Sequence, residues 1–404
     1  MPNRNLQLAK AAKNDEFYTQ YQDIQKEVEK YVEYNPDVFR GKVVYCNCDD
    51  PFESNFFKYL ANKFKSYGIK KLITTSYVGS PIAQTQLQLF GTGELGNKKE
   101  LPKRKNKKAF KIEINEVSDL TKDSITNLND VKWLLEHDKN ASSLLHGDEK
   151  HTTGDFRSKE CVELLKQADI VVTNPPFSLF REYIKQLVNY DKKFLIIGNM
   201  NAITYKEVFP LLKENKVWLG NNYKVNAGAM FFEIPEDIAN LEQVREVKTN
   251  ESGKKVYITR VQGVRWFTNL DHGRRHKPLP LMTEAEVIKF VTKKPFEKYD
   301  NYDAIEVPLV KYIPRDYDGV MGVPVSFLDK YSPEQFEIIG TCENEDLYKL
   351  KTKVYTTAEC KQAYFDKFGK KGTYDLNASG VVIRNGLLEK VYQRLLIRHK
   401  KKTI

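Results

Sequence analysis

The chain has 404 residues, enough for one sizeable core plus a smaller unit, and its 41% apolar and 12% aromatic content is ordinary for a globular protein and argues against disorder as the default. No run approaches about 18 apolar residues, and Met1-Pro2-Asn3-Arg4-Asn5-Leu6 lacks a signal-peptide core, so a cytosolic protein without a membrane span is expected. A net charge of +11 suits a polyanionic partner, and five cysteines without a Cys-x-x-Cys pair argue against disulfides or structural zinc.

The first residues close on Asn14-Asp15-Glu16-Phe17-Tyr18-Thr19, an acidic and polar lead-in, and residues 20–33 then carry helical spacing in Tyr21, Ile24, Val28, Tyr31 and Val32. Residues 41–51 followed by 54–60 read as strand, tight turn and a helix with Ser54 as N-cap, the opening unit of a doubly wound α/β sheet. Cys46 and Cys48 fit burial at that strand's end better than metal binding. Residues 72–78 form a second strand. Gly91-Thr92-Gly93-Glu94-Leu95-Gly96 has the spacing of a nucleotide-binding loop, yet alternating segments at 84–90 and 109–114 flank it and no helix opens after it. It reads as an inserted β-hairpin, about residues 84–115, whose basic tip touches phosphates. Residues 133–146 read as helical or irregular, and Asp155 is a candidate N-cap for a helix over 158–167.

Asp169-Ile170-Val171-Val172-Thr173 then runs into Asn174-Pro175-Pro176-Phe177. Three β-branched residues in a row predict a buried central strand, and consecutive prolines can neither donate to a ladder nor continue a helix, so the strand must stop. As structure alone the tetrapeptide is a strand terminator. As chemistry, the Asn174 amide oxygen and the loop carbonyls can accept both hydrogens of an amino group, and Phe177 offers a flat face to a purine removed from its stack.

Asn174-Pro175-Pro176-Phe177 resembles the catalytic motif of the S-adenosylmethionine-dependent methyltransferases that modify adenine N6. With Gly154-Asp155-Phe156 upstream and Ser178-Leu179-Phe180-Arg181-Glu182 downstream, the chain resembles the EcoRI-type adenine-specific DNA methyltransferase family. The resemblance implies a Rossmann-like class I methyltransferase sheet, S-adenosyl-L-methionine as cofactor and double-stranded DNA as partner. It implies that Asn174, Pro175, Pro176 and Phe177 are catalytic. It also implies a cofactor site made from Phe17, Tyr18, Thr19, Cys46, Asn47, Asp49, Asp50, Asp155 and Phe156, with Asp155 accepting from the amine of the cofactor's own adenine. Either Asp49 or Asp50 would face the cofactor's cationic groups. The second strand lacks the acid that usually holds the ribose, so Ser76, a backbone group, Asp49 or Asp50 takes that place.

Residues 180–187 predict a short helix and 193–200 another buried strand, while 217–220 and 229–234 are expected to close the sheet as an antiparallel pair. That sets a methyltransferase domain at 1–235 and a smaller, loop-rich target-recognition region at 236–404. The stretch 236–260 is a charged interruption with a turn at 249–254, and 264–270 is strand-like. In the basic loop 271–278, His272 and His276 read as phosphate or base contacts rather than a zinc pair. Expected DNA-binding residues are Lys103, Arg104, Lys105, Arg274, Arg275 and Lys277. The resemblance persists through Val325-Ser326-Phe327-Leu328-Asp329-Lys330-Tyr331 into a terminal strand at 388–397, and implies a restriction-modification or stand-alone methylase, any cognate endonuclease acting separately. A methyltransferase for RNA adenine or a protein glutamine, and an inactive DNA-binding module, are the alternatives.

Overall fold

The structure is a computed structural model and describes residues 18–48, 54–76, 109–117, 134, 140–221, 229–234, 244–249 and 255–401. Two compact units emerge, Met1–Leu212 with Val217–His272, and Lys213–Lys216 with Gly273–Ile404.

In the first unit β1 (Tyr18–Thr19) and α1 (Tyr21–Tyr34) precede β2 (Val43–Cys46), α2 (Asn55–Asn62), β3 (Lys71–Thr75), β4 (Phe110–Ile114) and β5 (Ala141–Leu144). Next come α3 (Lys159–Gln167), β6 (Ile170–Thr173), α4 (Phe180–Asn189), β7 (Lys193–Asn199), β8 (Trp218–Leu219), β9 (Ala229–Ile234), β10 (Val244–Thr249), β11 (Lys255–Gln262) and β12 (Val264–Thr268). Eight strands form the main sheet in the order β5-β4-β3-β2-β6-β7-β12-β8. Its centre, β3-β2-β6-β7, is parallel, and both edges are antiparallel. Cys46, Ile170, Val172, Leu195 and Ile197 share a cluster with Ile24 and Val28 of α1 and Phe56 and Leu60 of α2. The alternate residues Val171, Phe194 and Ile196 are buried as well, so both faces of the parallel strands are covered, as the unbroken apolar run of β6 requires.

Ser54 caps α2 by accepting from Phe56 N at 3.1 Å. Several expectations are corrected. Residues 229–234 do not close the main sheet; β9 joins a second sheet of order β1-β9-β11-β10, and β12 takes the place beside β7. The first compact unit runs to His272, since β12 completes its sheet. β4 is no hairpin arm: it lies in the main sheet between β3 and β5, the latter a strand where helix or irregular chain was expected. The rest of that insertion, 84–108 with the glycine-rich stretch, lies outside the described residues. The charged interruption contains a strand pair, β10 and β11.

In the second unit β13 (Ile305–Glu306), β14 (Met321–Pro324), β15 (Phe336–Thr341) and β18 (Arg394–His399) form a sheet of order β13-β14-β18-β15. The terminal segment expected as one strand is two, since β17 (Leu387–Lys390) pairs instead with β16 (Val381–Arg384). Helix α5 (Thr357–Phe368) opens with a capping box between Thr356 and Glu359 and closes on Gly369 in the left-handed region. Beneath the sheet, Arg394 forms a buried ion pair with Glu306 at 2.6 Å, to which the Tyr299 hydroxyl also donates. Among the described residues no helix is long and apolar enough to cross a membrane.

Candidate active site

Because the central strands run in one direction, their carboxyl-end loops gather along one edge of the sheet. At the end of β6, buried Thr173 donates its hydroxyl to Asn47 O, one residue beyond β2. Asn47 is itself buried, and its Oδ1 accepts from the Tyr183 hydroxyl on α4. Cys48 then turns the chain with a left-handed φ of 62°. Two strand ends and the helix after the 174–177 loop are thus tied through one asparagine.

Asn174 is half-buried, Pro175 buried, and Pro176 and Phe177 half-buried. The Pro176 carbonyl accepts from Leu179 N at 3.0 Å, which winds Phe177–Leu179 into a 3-10 turn leading into α4. Among the described residues nothing donates to Pro175 O, and the carbonyl that builds the turn is that of Pro176. Phe177 packs partly against the main core, which fixes its ring.

The segment carrying Asp155 has little regular structure and is held by carboxylates instead. Asp148 accepts from Lys150 N, His151 N and Lys159 N at 2.8–2.9 Å, and Glu160 accepts from His146 N at 2.6 Å and Gly147 N at 3.2 Å. Gly154, at φ 77°, lies so close to β3 that a Cβ would run into Ser76 O and approach the Ala109 Cβ to 2.7 Å. Asp155 is thereby carried to the carboxyl end of β3. It is not the N-cap of α3: Ser158 is, accepting from Cys161 N at 3.3 Å. Arg157 grips the Asp155 carboxylate from both sides, Nε to Oδ1 at 3.0 Å and Nη2 to Oδ2 at 2.8 Å, while its Nη1 reaches Glu182 on α4 at 2.8 Å. Burial alone pushes the Asp155 carboxyl up, but the hydrogen bonds and charge of Arg157 outweigh it and hold the group below the usual carboxylate range.

Thr19 is 2% exposed, its carbonyl accepts from Asn55 Nδ2 at 2.8 Å, and its Oγ1 is buried with no hydrogen-bond partner among the described residues. It therefore sits at the start of α2, beyond the end of β2. Tyr18 pairs with Glu233 across β1 and β9. Cys46 is a core residue. Phe156 is buried edge-on to Tyr183, ring centroids 4.9 Å apart, with the Arg157 guanidinium 5.3 Å from its own ring. The Ser76 hydroxyl is engaged with Phe110 N at 3.0 Å, so the strand end that lacks an acid spends its serine on β4. Phe17, Asp49, Asp50, Lys103, Arg104 and Lys105 lie outside the described residues.

In the second unit, of the expected DNA contacts, Lys277 is exposed and Arg274 half-buried, whereas Arg275 is 7% exposed and donates to Asn215 Oδ1 at 2.6 Å. Arg275 is a packing residue. His276 pairs with Glu334 at 2.6 Å. In the first unit His272 is buried, with Nε2 3.1 Å from Leu219 O and its ring edge-on to Tyr31, so it is no phosphate contact. Sequence reasoning missed Arg157, Glu182 and Tyr183; only the Asp155-x-Arg157 spacing offered a local signal.

Comparison with known proteins matches residues 5–400 to the family of the adenine-specific methyltransferase EcoRI. The chain is 45% identical to the Type II methyltransferase M.EcoRI of Escherichia coli over 337 residues, 83% of this chain and 89% of that protein. It is 35% identical to the Type II methyltransferase M.MpnI of Mycoplasma pneumoniae over 86% of this chain and 89% of that one. It is 34% identical to M.MgeORF184P of Mycoplasma genitalium over 86% of this chain and 90% of that relative. No solved structure matches. With the strand-end acceptors, the clamped Asp155 and a family match across nearly the whole length, the chain belongs to the EcoRI-type adenine-specific DNA methyltransferases, enzymes that use S-adenosylmethionine to methylate adenine N6.

Proposed function

We propose that Asn174 Oδ1 and Pro175 O accept the two N6 hydrogens of an adenine turned out of duplex DNA. That draws the nitrogen lone pair out of ring conjugation and aims it away from the loop. Phe177 supports the base, and Pro176 stiffens the loop before substrate arrives. The observation that carries this reading is the tie from Thr173 through Asn47 to Tyr183, which sets the loop's position from both ends.

The residues present fit the cofactor. Thr19 Oγ1 is a buried hydroxyl in need of a polar partner, and Asp155 keeps acceptor capacity beyond its bonds to Arg157 for an adenine amine. Thr19 and Asp155 would hold it, with Asp49 or Asp50 facing its positive groups. When bound, S-adenosylmethionine supplies an electrophilic methyl on a cationic sulfur. No strong base is needed on the protein, since the proton can leave once nitrogen has become cationic.

Residues up to His272 carry cofactor binding and chemistry, and the unit from Gly273 onward carries target recognition, with Lys277 and Arg274 among its phosphate contacts. The enzyme works in the cytosol, separately from any cognate endonuclease. The test is methylation of plasmid DNA by wild type and by Asn174→Ala, with modified adenines mapped. Wild type yields N6-methyladenine at a defined site, and the variant binds DNA and cofactor without turning over. Near-normal turnover by Asn174→Ala overturns the reading.

A further inference from the structure

Arg181 is the second residue of α4, four positions beyond Phe177 and therefore about 8 Å or less of helical rise from the catalytic loop. Its guanidinium lies over the Tyr205 ring, 4.0 Å from the centroid. Tyr205 follows the 3-10 turn Met200–Thr204 at the carboxyl end of β7, the strand parallel to β6. Its backbone is anchored, N donating to Ala202 O at 3.0 Å and O accepting from Phe209 N at 2.8 Å. The ring is thus an anchored, half-buried platform with the exposed arginine over it.

Among the described residues nothing else accounts for a cation here. A positive charge in the first turn of a helix works against the helix dipole, and among the described residues no carboxylate or carbonyl accepts from Arg181. The neighbouring acid, Glu182, is taken by Arg157. Stacking uses the face of the guanidinium and leaves its rim of N–H donors outward, in the plane that suits a tetrahedral oxyanion.

We propose that Arg181, held by Tyr205, binds a phosphodiester of the strand that carries the target adenine. The inference rests on the methylation reading above. A nucleotide whose base reaches Asn174 brings its own flanking phosphates with it by covalent geometry, so an anion must lie near the loop that Arg181 borders. Such a contact positions the strand and does not read sequence. The site differs from the Arg157 clamp, whose donors are already committed to carboxylates.

The experiment titrates a fluorescein-labelled mixed-sequence duplex against the full chain at several salt concentrations, for wild type, Arg181→Ala and Arg181→Lys. Arg181→Ala should lower the slope of log affinity against log salt by about 0.9, the release expected for one phosphate, and weaken binding several-fold on every sequence. Arg181→Lys should restore the slope, since it keeps the charge, but not the full affinity, since it loses the stack. Affinity for S-adenosylmethionine, measured by calorimetry, should not change; a residue that merely packed α4 against β7 would move that and leave the salt slope alone. Should Arg181→Ala not fold, Arg181→Gln keeps the stem and removes the charge for the same measurement. An unchanged slope in the neutral variant overturns the proposal, as does a lysine variant that loses as much slope as alanine. A wild-type chain that does not methylate adenine in DNA defeats the underlying reading, whereas a methylating wild type with an unaltered slope in Arg181→Ala defeats only the phosphate site.

Discussion

The Tyr183 hydroxyl on α4 donates to Asn47 Oδ1 at the end of β2, and both side chains are fully buried, 0% and 1% exposed. Since Thr173 donates to the carbonyl of the same asparagine, the start of the 174–177 loop is tied to the end of β2. Tyr183→Phe removes one donor from a buried acceptor, which costs about 1–3 kcal/mol. Thermal melting should register the loss, and turnover should fall more than DNA affinity.

On the proposed mechanism Asn174 has to supply an acceptor at a fixed place. Alanine removes it, and turnover should drop by about two to three orders of magnitude, the range found when a single transition-state hydrogen bond is deleted. Asn174→Asp keeps an oxygen there and should retain more activity than alanine. Single-turnover rates on saturating plasmid DNA give the ranking, and the reverse order would contradict the acceptor role.

Gly154 permits the approach of its loop to Ser76. An alanine there meets both an unfavourable φ of 77° and the Ser76 carbonyl, and should cost at least about 1–3 kcal/mol while displacing Asp155. Reduced affinity for S-adenosylmethionine alongside a lower melting temperature is the expected pair of results in calorimetry and thermal scans.

The Arg157 clamp makes a pH prediction. Asp155 has a depressed folded pKa, so its charge-dependent contribution is present above the unfolded value and is lost as pH falls through the folded one. Arg157→Met removes the hydrogen bonds and charge that lower it, so burial is left to raise it. The acid-side loss of cofactor affinity should therefore begin at higher pH in the variant than in wild type, as a pH series of cofactor titrations would show.

In the second unit the Arg394–Glu306 pair, with side chains 10% and 4% exposed, is too buried for either partner to be lost cheaply. Arg394→Met leaves a buried carboxylate and should destabilise by about 3–5 kcal/mol, whereas the double change Arg394→Met with Glu306→Gln should recover part of it. Denaturant melts of wild type and the two variants test this.

Local chemistry was readable and partner choice was not. The β-branched run of β6 and its proline stop, the Ser54 cap and the spacing of α1 follow from residues a few positions apart. The run 229–234 is apolar enough for either sheet, and only distant strands decide which it joins. Lys255 and Arg260 hid β11, because that strand has an open side where charge is tolerated. Asn174 and Asp155 were legible as motif residues. The Arg157–Glu182 and Tyr183–Asn47 contacts span 25 and 136 residues and exist only once the sheet is assembled. A run of cations likewise does not reveal that Arg275 points inward.

The position of β12 between β7 and β8 has a consequence for biosynthesis. The edge of β7 stays bare until the ribosome has delivered residues 264–268, so a nascent chain halted near Pro235 exposes an unpaired strand beside β6. The second unit's sheet waits longer still, since its inner strand β18 follows β13, β14 and β15 in the chain. A nascent chain halted between residues 341 and 394 would leave β14 and β15 without the strand that joins them, an unpaired edge of the kind that aggregates.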